Sequence, residues 1–284
     1  MSTARRSTLC IVDAPRDGLP ARERSRLPSR NTSYDNADDP LWRLLVYEPV
    51  HSGREFINIG GARVLDAIAS KLKPQTCLRL LEIGSGLGAN CIYLGTKCGY
   101  DITGVDANPH QVRKALARLS QFPQLRLNFV ERDILSWVPD GRYDCVYTVD
   151  SLMLIPETSL VFRKAYDCLS DKGLLVITEM MAGPLITKGF REYAYEEDEI
   201  QLFSLNDYQA QLVDAGFAIL DVTDLTQLAE DTFECIHQTV CRRRENVVQL
   251  SSLHAYEHWL VLSRMYRDGF RSRQYEYRML FAIR

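Results

Sequence analysis

The sequence predicts an α/β protein whose doubly wound sheet contains seven mostly parallel strands. Between residues 78 and 222, short apolar runs alternate with amphipathic segments, an order typical of parallel strands joined by helices. The first apolar run ends in a glycine-rich turn, as the first strand does in many ligand-binding sheets of this class. The last run, 275–283, alternates in polarity and is expected to return to the sheet as an antiparallel strand.

The composition sets limits on the partners of the chain. Its 284 residues are 46% hydrophobic and 25% charged, which suits one large α/β domain. The formal net charge of −3 provides no attraction for nucleic acid or an anionic membrane. No apolar run approaches the roughly 20 residues needed to span a bilayer. We therefore expect neither nucleic acid nor membrane as a partner, and the sequence does not specify an oligomeric state.

The cysteine pattern is that of a reduced protein. None of the eight cysteines forms a Cys-x-x-Cys pair, and a chain of this length has a core that needs no disulfide framework. Most of them fall in or beside predicted strands and helices, where buried thiols are common. These are Cys77, Cys91, Cys98, Cys145 and Cys168. The pattern predicts a cytoplasmic location.

The N-terminal part of the chain precedes the alternating region. Residues 1–33 are rich in Arg, Ser and Pro, so we expect a disordered leader followed by one domain over 34–284. Helices are predicted over 34–45 and 54–70, with a loop over 47–53 between them. These helices could cover a ligand from outside the sheet.

The most informative motif is Glu-x-Gly-x-Gly-x-Gly, which begins at Glu82. It lies between a predicted strand over 78–83 and a predicted helix over 88–98. Gly84 and Gly86 allow a sharp turn, and the last glycine allows the helix to pack closely. The spacing differs from the Gly-x-Gly-x-x-Gly motif of dinucleotide-binding proteins. A ligand is expected over this loop, although a glycine turn without any ligand is the alternative.

Acidic residues follow the next strands at the positions where such sheets bind their ligands. The second strand, 101–105, ends at Asp106, about 20 residues after the glycine loop, where a carboxylate can accept two ribose hydroxyls. A helix is predicted from Asn108 to about residue 121. The third strand, 125–130, leads to the acidic Asp133 and the aliphatic Ile134. The fourth strand, 143–149, ends at Asp150.

The alternation is interrupted after the fifth strand. A helix over 156–169 and a turn over 171–173 lead into this strand, predicted over 174–178. Residues 180–204 contain two tyrosines and the acidic run 196–199, and we interpret them as a lid over the substrate. A solvated charged surface is the alternative. Beyond it we predict a helix over 205–215, a strand over 217–222 and several further helices.

These residues together resemble the class I methyltransferases that use S-adenosylmethionine (SAM), over about residues 47–284. Within that class the chain has a distant similarity to the phosphoethanolamine/phosphobase N-methyltransferases. The similarity is carried by the glycine loop, by Tyr34 with its spacing to Glu48 and Ser52, and by the region of Trp259, Arg264 and Arg267. The resemblance implies a Rossmann-like fold, SAM as the cofactor, and methyl transfer to a small molecule.

The resemblance also assigns roles to particular residues. It implies that Glu82 binds the amino-acid end of SAM, that Asp106 binds the ribose, and that Asp133 and Ile134 bind the adenine. The complete cofactor set that it implies is Ser52, Glu82, Gly84, Ser85, Gly86, Gly88, Asp106, Ala107, Asp133, Ile134 and Asp150. Tyr34 and Asp150 are the implied catalytic residues, and no metal is expected.

The chain departs from that family where the family binds its phosphorylated substrate. The catalytic histidine of the family falls on Leu154, which cannot carry a proton, and its phosphate-binding arginine falls in the acidic run 196–199. We therefore expect an amine acceptor without phosphate, as in specialised metabolism, attracted to acidic and aromatic groups. The expected substrate-binding residues are Tyr34, Leu154, Tyr193 and Tyr195.

Other functions fit parts of the same pattern. The Leu154 departure is compatible with C- or O-methylation of a natural product, or with cyclisation or SAM binding without methyl transfer. A nicotinamide-dependent oxidoreductase would share Asp106 but would need a different glycine spacing. His254 and His258, in a His-x-x-Glu-His pattern, match the inverted zinc-protease motif, but the sequence suggests no third ligand and we interpret the pair as structural.

Overall fold

The computed structural model describes residues 40–72 and 78–284. The predicted leader, 1–33, the start of the first predicted helix, Tyr34 and Cys77 lie outside the described residues. The strands form one seven-stranded sheet in the order β3-β2-β1-β4-β5-β7-β6. The doubly wound α/β fold predicted from the sequence is therefore confirmed.

The five strands at one side of the sheet are parallel, and only β7 runs against its two neighbours. A parallel sheet needs apolar residues on both faces because helices cover both of them. β1 and β4 meet this requirement, since nearly every residue in them is buried. The strands are β1 (Arg79–Ile83), β2 (Asp101–Asp106), β3 (Leu127–Glu131), β4 (Tyr143–Val149), β5 (Leu169–Ala182), β6 (Ala218–Asp224) and β7 (Tyr275–Ile283).

Two apolar cores lie on the two faces of the sheet. One contains buried side chains of α3, α4, α9 and α11, and the other those of α6 and α8. The helices are α1 (Pro40–Trp42), α2 (Glu48–His51), α3 (Ala62–Lys71), α4 (Ala89–Cys98), α5 (Pro109–Leu119), α6 (Thr158–Cys168), α7 (Lys188–Asp198), α8 (Leu205–Asp214), α9 (Thr226–Arg242), α10 (Arg244–Leu250) and α11 (Leu253–Arg271). None of the helices in this part of the chain is long and apolar enough to cross a membrane.

The first helical segment ends later in the chain than the sequence predicted. A π-helical stretch, Arg43–Tyr47, joins α1 to α2 without a break, so the predicted loop over 47–53 is wrong for 47–51. Leu45, Val46 and Tyr47 are buried in a third apolar cluster, which extends the helix beyond the predicted end at residue 45. The helix ends at Ser52, whose φ of 53° is left-handed.

The second predicted helix, 54–70, begins only at Ala62. Residues 54–61 run without regular structure up to Gly60 and Gly61, which have φ values of 75° and 51°. Because other residues rarely adopt such angles, this glycine pair delays the start of the helix. The irregular segment is placed over the carboxyl ends of the strands, where it contributes to the site described below.

The fifth strand is also longer than predicted. The predicted turn over 171–173 is a bulge within β5, where Lys172 has a φ of 62° and the pairing with β4 shifts register. At its other end β5 continues to Ala182, where it pairs with Tyr275. The first residues of the predicted insertion, 180–204, therefore belong to the sheet, and the rest contains α7.

Candidate active site

A cavity of about 710 Å³ opens at the carboxyl ends of β1, β2 and β4. This is the edge at which open α/β sheets bind their ligands, because the strand order reverses there. Of the predicted site residues, ten line the cavity: Gly84, Ser85, Gly86, Asp106, Ala107, Asp133, Ile134, Asp150, Leu154 and Tyr195. The structure thus brings together residues that span more than one hundred positions in the sequence.

The glycine loop forms the floor of this cavity. Gly84, Gly86 and Gly88 have φ values of 72°, 51° and 73°, so all three use the left-handed conformation. A Cβ on Gly88 would lie 2.5 Å from a ring carbon of Phe129, which means that α4 can approach β3 only because this side chain is absent. Gly88 shapes the loop from behind and does not line the cavity.

Asp106 holds the glycine loop and the start of α5 at the same time. Its Oδ2 accepts a hydrogen bond from the Gly86 amide at 2.7 Å, and its Oδ1 accepts one from the Asn108 amide at 2.8 Å. Burial raises the pKa of this carboxyl, and the two amide bonds oppose that rise. Each oxygen of a carboxylate has a second acceptor site, so Asp106 can still accept two hydroxyl groups.

The residues after β3 form another wall. Asp133 is exposed, and its Oδ1 accepts a hydrogen bond from the Leu135 amide at 2.9 Å, which fixes the turn. Ile134 is buried beside it and presents an apolar surface to the cavity. An acceptor next to an apolar side chain is an arrangement that suits a heteroaromatic ring carrying an amino group.

Glu82 does not reach the cavity. It is fully buried beneath the glycine loop, where its oxygens accept hydrogen bonds from Asn90 at 2.9 Å, Cys91 at 2.8 Å and Tyr147 at 3.0 Å. Burial raises the pKa of Glu82 to about 7. In this position the carboxyl braces the loop from below, and Asn90 is the partner that itself lines the cavity.

Asp150 is the most unusual residue of the site. Its φ is 52°, a conformation that is strained for a residue with a side chain. Its Oδ2 accepts hydrogen bonds from the Ile59 amide at 2.7 Å and the Tyr277 hydroxyl at 3.1 Å, whereas its Oδ1 is buried without a partner. Burial raises the pKa of Asp150 to about 7. Such a carboxyl can take up or release a proton near neutral pH.

Two unpredicted residues, Ile57 and Asn58, complete the cavity from the irregular segment before α3. The Nδ2 of Asn58 donates to the carbonyl groups of Ile59 and Gly61, and its Oδ1 is buried without a partner. The Gly60-Gly61 pair was the available signal that the helix starts late, but no sequence pattern indicated that this segment folds over the sheet. Ser85 Oγ is likewise buried and unpartnered, so the cavity contains several polar atoms that a ligand could satisfy.

Two further predicted residues do not line this cavity. Ser52 is exposed at the end of α2, and Tyr193 packs against Tyr266 with 6.3 Å between ring centroids. Tyr34 lies outside the described residues, so its predicted position over the site stays a prediction. Of the predicted substrate-binding residues, Leu154 and Tyr195 line the cavity, where both are partly exposed.

The acidic run 196–199 does not act as one surface. Glu197 lies 3.8 Å from His258 on α11, and Asp198 is buried, where it accepts a hydrogen bond from the Tyr266 hydroxyl at 2.5 Å. Only Glu199 lines the cavity. Glu197 and Asp198 instead hold α7 against α11.

The charge of the cavity wall is negative. Five carboxyl groups line it, whereas Arg132 is the only basic residue among the described lining residues. The carboxyl groups belong to Asp106, Asp133, Asp150, Glu157 and Glu199. Such a wall favours a cationic ligand and opposes a doubly charged anion such as phosphate.

The His-x-x-Glu-His pattern lies on α11, away from this cavity. His258 faces Glu197, as described above, and His254 is exposed. Within residues 40–72 and 78–284, no three His, Cys, Asp or Glu side chains come together in a way that could hold a metal ion.

Comparisons with known proteins agree with this geometry. Residues 61–222 match a family described as a methyltransferase domain. The chain is 27% identical over 212 residues to a phosphoethanolamine N-methyltransferase of Plasmodium falciparum, covering 73% of this chain and 78% of that protein. It is 26% identical over 193 residues to the 27-O-demethylrifamycin SV methyltransferase of Amycolatopsis mediterranei, covering 66% of this chain and 71% of that protein.

The fold has close structural counterparts. Phosphoethanolamine N-methyltransferase 2 of Haemonchus contortus, solved with phosphomonomethylethanolamine and S-adenosylhomocysteine, superposes with a TM-score of 0.76 at 21% identity. That similarity covers 89% of this chain and 61% of the other chain. The chain spans less than half the length of the plant phosphoethanolamine N-methyltransferases that it also matches.

Proposed function

This chain belongs to the methyltransferase domain family, and we propose that it transfers a methyl group from SAM to a small-molecule amine that carries no phosphate. The enzyme is a SAM-dependent methyltransferase. The nature of the acceptor is our inference. It rests above all on one observation: the cavity wall combines five carboxyl groups with a single arginine.

The cavity offers suitable partners for each part of SAM. We assign the ribose hydroxyls to Asp106, whose two oxygens have free acceptor sites, and the adenine to Asp133 and Ile134. The unpartnered atoms Ser85 Oγ and Asn58 Oδ1 suit the polar amino-acid end. Glu82 supports this arrangement indirectly, by holding Asn90 and the glycine loop.

The acceptor amine is proposed to bind between Asp150 and the mouth of the cavity. A protonated amine is attracted to the Asp150 carboxylate, and Leu154 and Tyr195 provide apolar contact beside it. A phosphate in the same place would meet Glu157 and Glu199 without an arginine fork to hold it. The phosphorylated substrates of the relatives are therefore poor candidates for this chain.

The chemistry requires positioning and one proton transfer. SAM supplies an activated methyl group on a sulfonium centre, so the protein mainly aligns the acceptor nitrogen with it. A protonated amine has no free electron pair and must lose a proton before it attacks. Leu154 cannot accept that proton, so we assign the role to Asp150, whose pKa of about 7 is matched to it.

The remaining parts of the proposal concern access and context. We propose that α7 and residues 199–204 act as the lid, since Tyr195 and Glu199 border the cavity from this side.

We also propose a cytoplasmic enzyme of specialised metabolism. The six cysteines in the described ranges are free thiols, as expected in a reducing compartment, and the Leu154 position argues for an unusual acceptor.

The direct test offers the purified protein labelled SAM and amines in pairs that differ only in a phosphate group, such as ethanolamine and phosphoethanolamine. Mass spectrometry then identifies any methylated product. We expect label in an unphosphorylated amine and loss of that transfer in Asp150→Asn. Preferential methylation of the phosphorylated partner would refute the acceptor assignment, and absence of SAM binding would refute the function itself.

A second candidate function follows from Leu154, which lines the cavity where the resembling family has its histidine. An electron-rich carbon nucleophile needs no deprotonation before it attacks and loses its proton only afterwards, and a cyclisation without methyl transfer needs no such proton acceptor. Tight SAM binding with no label transferred to any amine, together with turnover of a polyene or phenolic compound, would favour this alternative.

A further inference from the structure

A second buried carboxyl group lies next to Asp150 and has no role in the account so far. Glu179 on β5 is fully buried, and one of its oxygens, Oε2, accepts a hydrogen bond from the Leu152 amide at 2.8 Å. Its other oxygen, Oε1, is buried without a partner. Asp150 is held beside β5, because its amide donates to the carbonyl of Thr178, the residue before Glu179, at 3.0 Å. The short turn from Asp150 to Leu152 therefore carries one of the two carboxyl groups and donates a hydrogen bond to the other.

No cation among the described residues compensates this pair. The groups that face it are Tyr277, which donates to Asp150, and the buried Tyr208 on α8, which lies near Glu179. Arg278 is the strand neighbour of Glu179 in the β5–β7 register, but its guanidinium is engaged by Glu276 and Asp224. Within the described residues, neither Asp150 nor Glu179 has an ion-pair partner.

Two buried carboxyl groups without a cation resist double ionisation, because each negative charge opposes the other at low dielectric constant. Burial, and then the charge of Asp150, raise the pKa of Glu179 well above its usual range. The pair retains a proton near neutral pH unless a positive charge enters the cavity. SAM carries such a charge on its sulfur, whereas its product S-adenosylhomocysteine (SAH) does not.

We propose that Asp150 and Glu179 form a carboxyl pair that keeps one proton in the free and SAH-bound enzyme and releases it to solvent when SAM binds. The charge balances, since one cation enters the cavity as one proton leaves. SAM binding would then leave Asp150 ionised, ready to attract the acceptor amine and take its proton. Glu179 acts through Asp150 and is a positioning residue. This inference rests on the proposed use of SAM at this site, and it does not depend on which amine is the acceptor.

The expected size of the effect follows from electrostatics. A unit positive charge about 6 Å away lowers a carboxyl pKa by roughly two pH units when the effective dielectric constant is about 20. For Asp150, whose pKa is about 7, that change is sufficient to convert most of the protonated form to the ionised form at a pH near 7. SAM binding should therefore release up to about one proton more than SAH binding.

Isothermal titration calorimetry tests this without any acceptor. SAM and SAH are each titrated into the wild-type protein in two buffers with different ionisation enthalpies, which gives the number of protons released. We expect a clear excess for SAM in the wild type, a smaller excess in Glu179→Gln, where only Asp150 can hold the proton, and its retention in Glu179→Asp, which keeps a carboxyl group. A merely structural role of Glu179 could change affinity but would not reduce this difference.

Each other outcome is informative. Equal proton release by SAM and SAH in the wild type would overturn the inference while leaving the proposed function intact. Absence of any SAM binding would instead reject the proposed function. A full SAM-dependent excess in a folded Glu179→Gln protein would assign the proton to a different group. If Glu179→Gln does not fold, the wild-type comparison and Glu179→Asp still decide whether the pair holds the proton.

Discussion

At the scale of single residues, Asp106 is the side chain whose removal should most affect cofactor binding. The substitution Asp106→Ala removes an acceptor for two hydroxyl groups and also frees the Gly86 and Asn108 amides. A charged hydrogen-bonding group contributes roughly 1.5–3 kcal/mol, so SAH affinity should fall at least about tenfold. Calorimetric titration with SAH measures it, with Asp101→Ala at the other end of β2 as the matched control. Unchanged affinity in Asp106→Ala would remove this residue from the site.

Glu82 should make the stability of the protein depend on pH. Its folded-state pKa of about 7 lies above the ordinary value of 4.5, so the folded protein holds this proton more tightly than the unfolded chain does. The associated stabilisation is fully present below pH 4.5 and is lost as the pH rises through 7, by at most roughly 3 kcal/mol. Glu82→Gln carries no proton to lose and should flatten this part of the profile. Urea unfolding at pH 5 and pH 8 measures it, and parallel wild-type and variant profiles would contradict the assignment.

Some residues of the site could be predicted from the sequence, because their positions at strand ends follow from the local sequence pattern. Asp106 and Asp150 each end an apolar strand, so a pattern of alternating segments is sufficient to place them at one edge of the sheet. Asn58 and Glu179 could not be found in that way. Asn58 reaches the cavity through a tertiary crossing of an irregular segment, and Glu179 lies beyond the predicted end of its strand.

At the scale of elements, α4 allows a direct test of why the glycine loop contains glycine. Gly88 and Gly99 flank this helix with nearly equal φ values of 73° and 70°. A Cβ on Gly88 would press on Phe129 and Ala115, whereas a Cβ on Gly99 would meet nothing within 4 Å. Left-handed strain affects both alanine variants, but overpacking affects only Gly88→Ala. We therefore expect Gly88→Ala to be less stable than Gly99→Ala by about 1–3 kcal/mol. Equal losses in urea unfolding would show that packing is not the reason for Gly88.

A side-chain hydrogen bond holds the proposed lid, and a substitution that deletes a single oxygen atom removes it. Tyr266→Phe deletes the hydroxyl that donates to the buried carboxyl of Asp198 at the end of α7. Loss of this bond costs roughly 1–2 kcal/mol, so hydrogen exchange of peptides from 188–198 should be about tenfold faster. Tyr256→Phe on the same helix is the control, because that ring instead contacts Arg244. Unchanged exchange in α7 would mean that the helix is held by other contacts.

The elements themselves were predictable where periodicity was strong. The strands and helices from β1 to α6 follow the alternation, and their bounds differ by only a few residues from those expected. The N-terminal helices were harder, because the burial of Leu45, Val46 and Tyr47 depends on α9 and α10, which are distant in sequence. The lid stays a prediction.

At the scale of the whole molecule, one sheet edge carries both the cofactor residues and the negative charge that we assign to acceptor selection. The strand order puts the reversal point between β1 and β4, so the glycine loop, Asp106 and Asp150 converge there. The chain as a whole has a net charge of only −3, and the acidic character of the cavity is therefore a local property. Composition could not reveal this local field.

The most direct measurement of the central claim is an experimental structure of the protein with SAH and an unphosphorylated amine. We predict the ribose hydroxyls within hydrogen-bonding distance of Asp106, the adenine between Asp133 and Ile134, and the sulfur facing Asp150 with the amine beside it. A cofactor bound elsewhere, or an Asp150 carboxyl shielded from the sulfur by protein, would contradict the account.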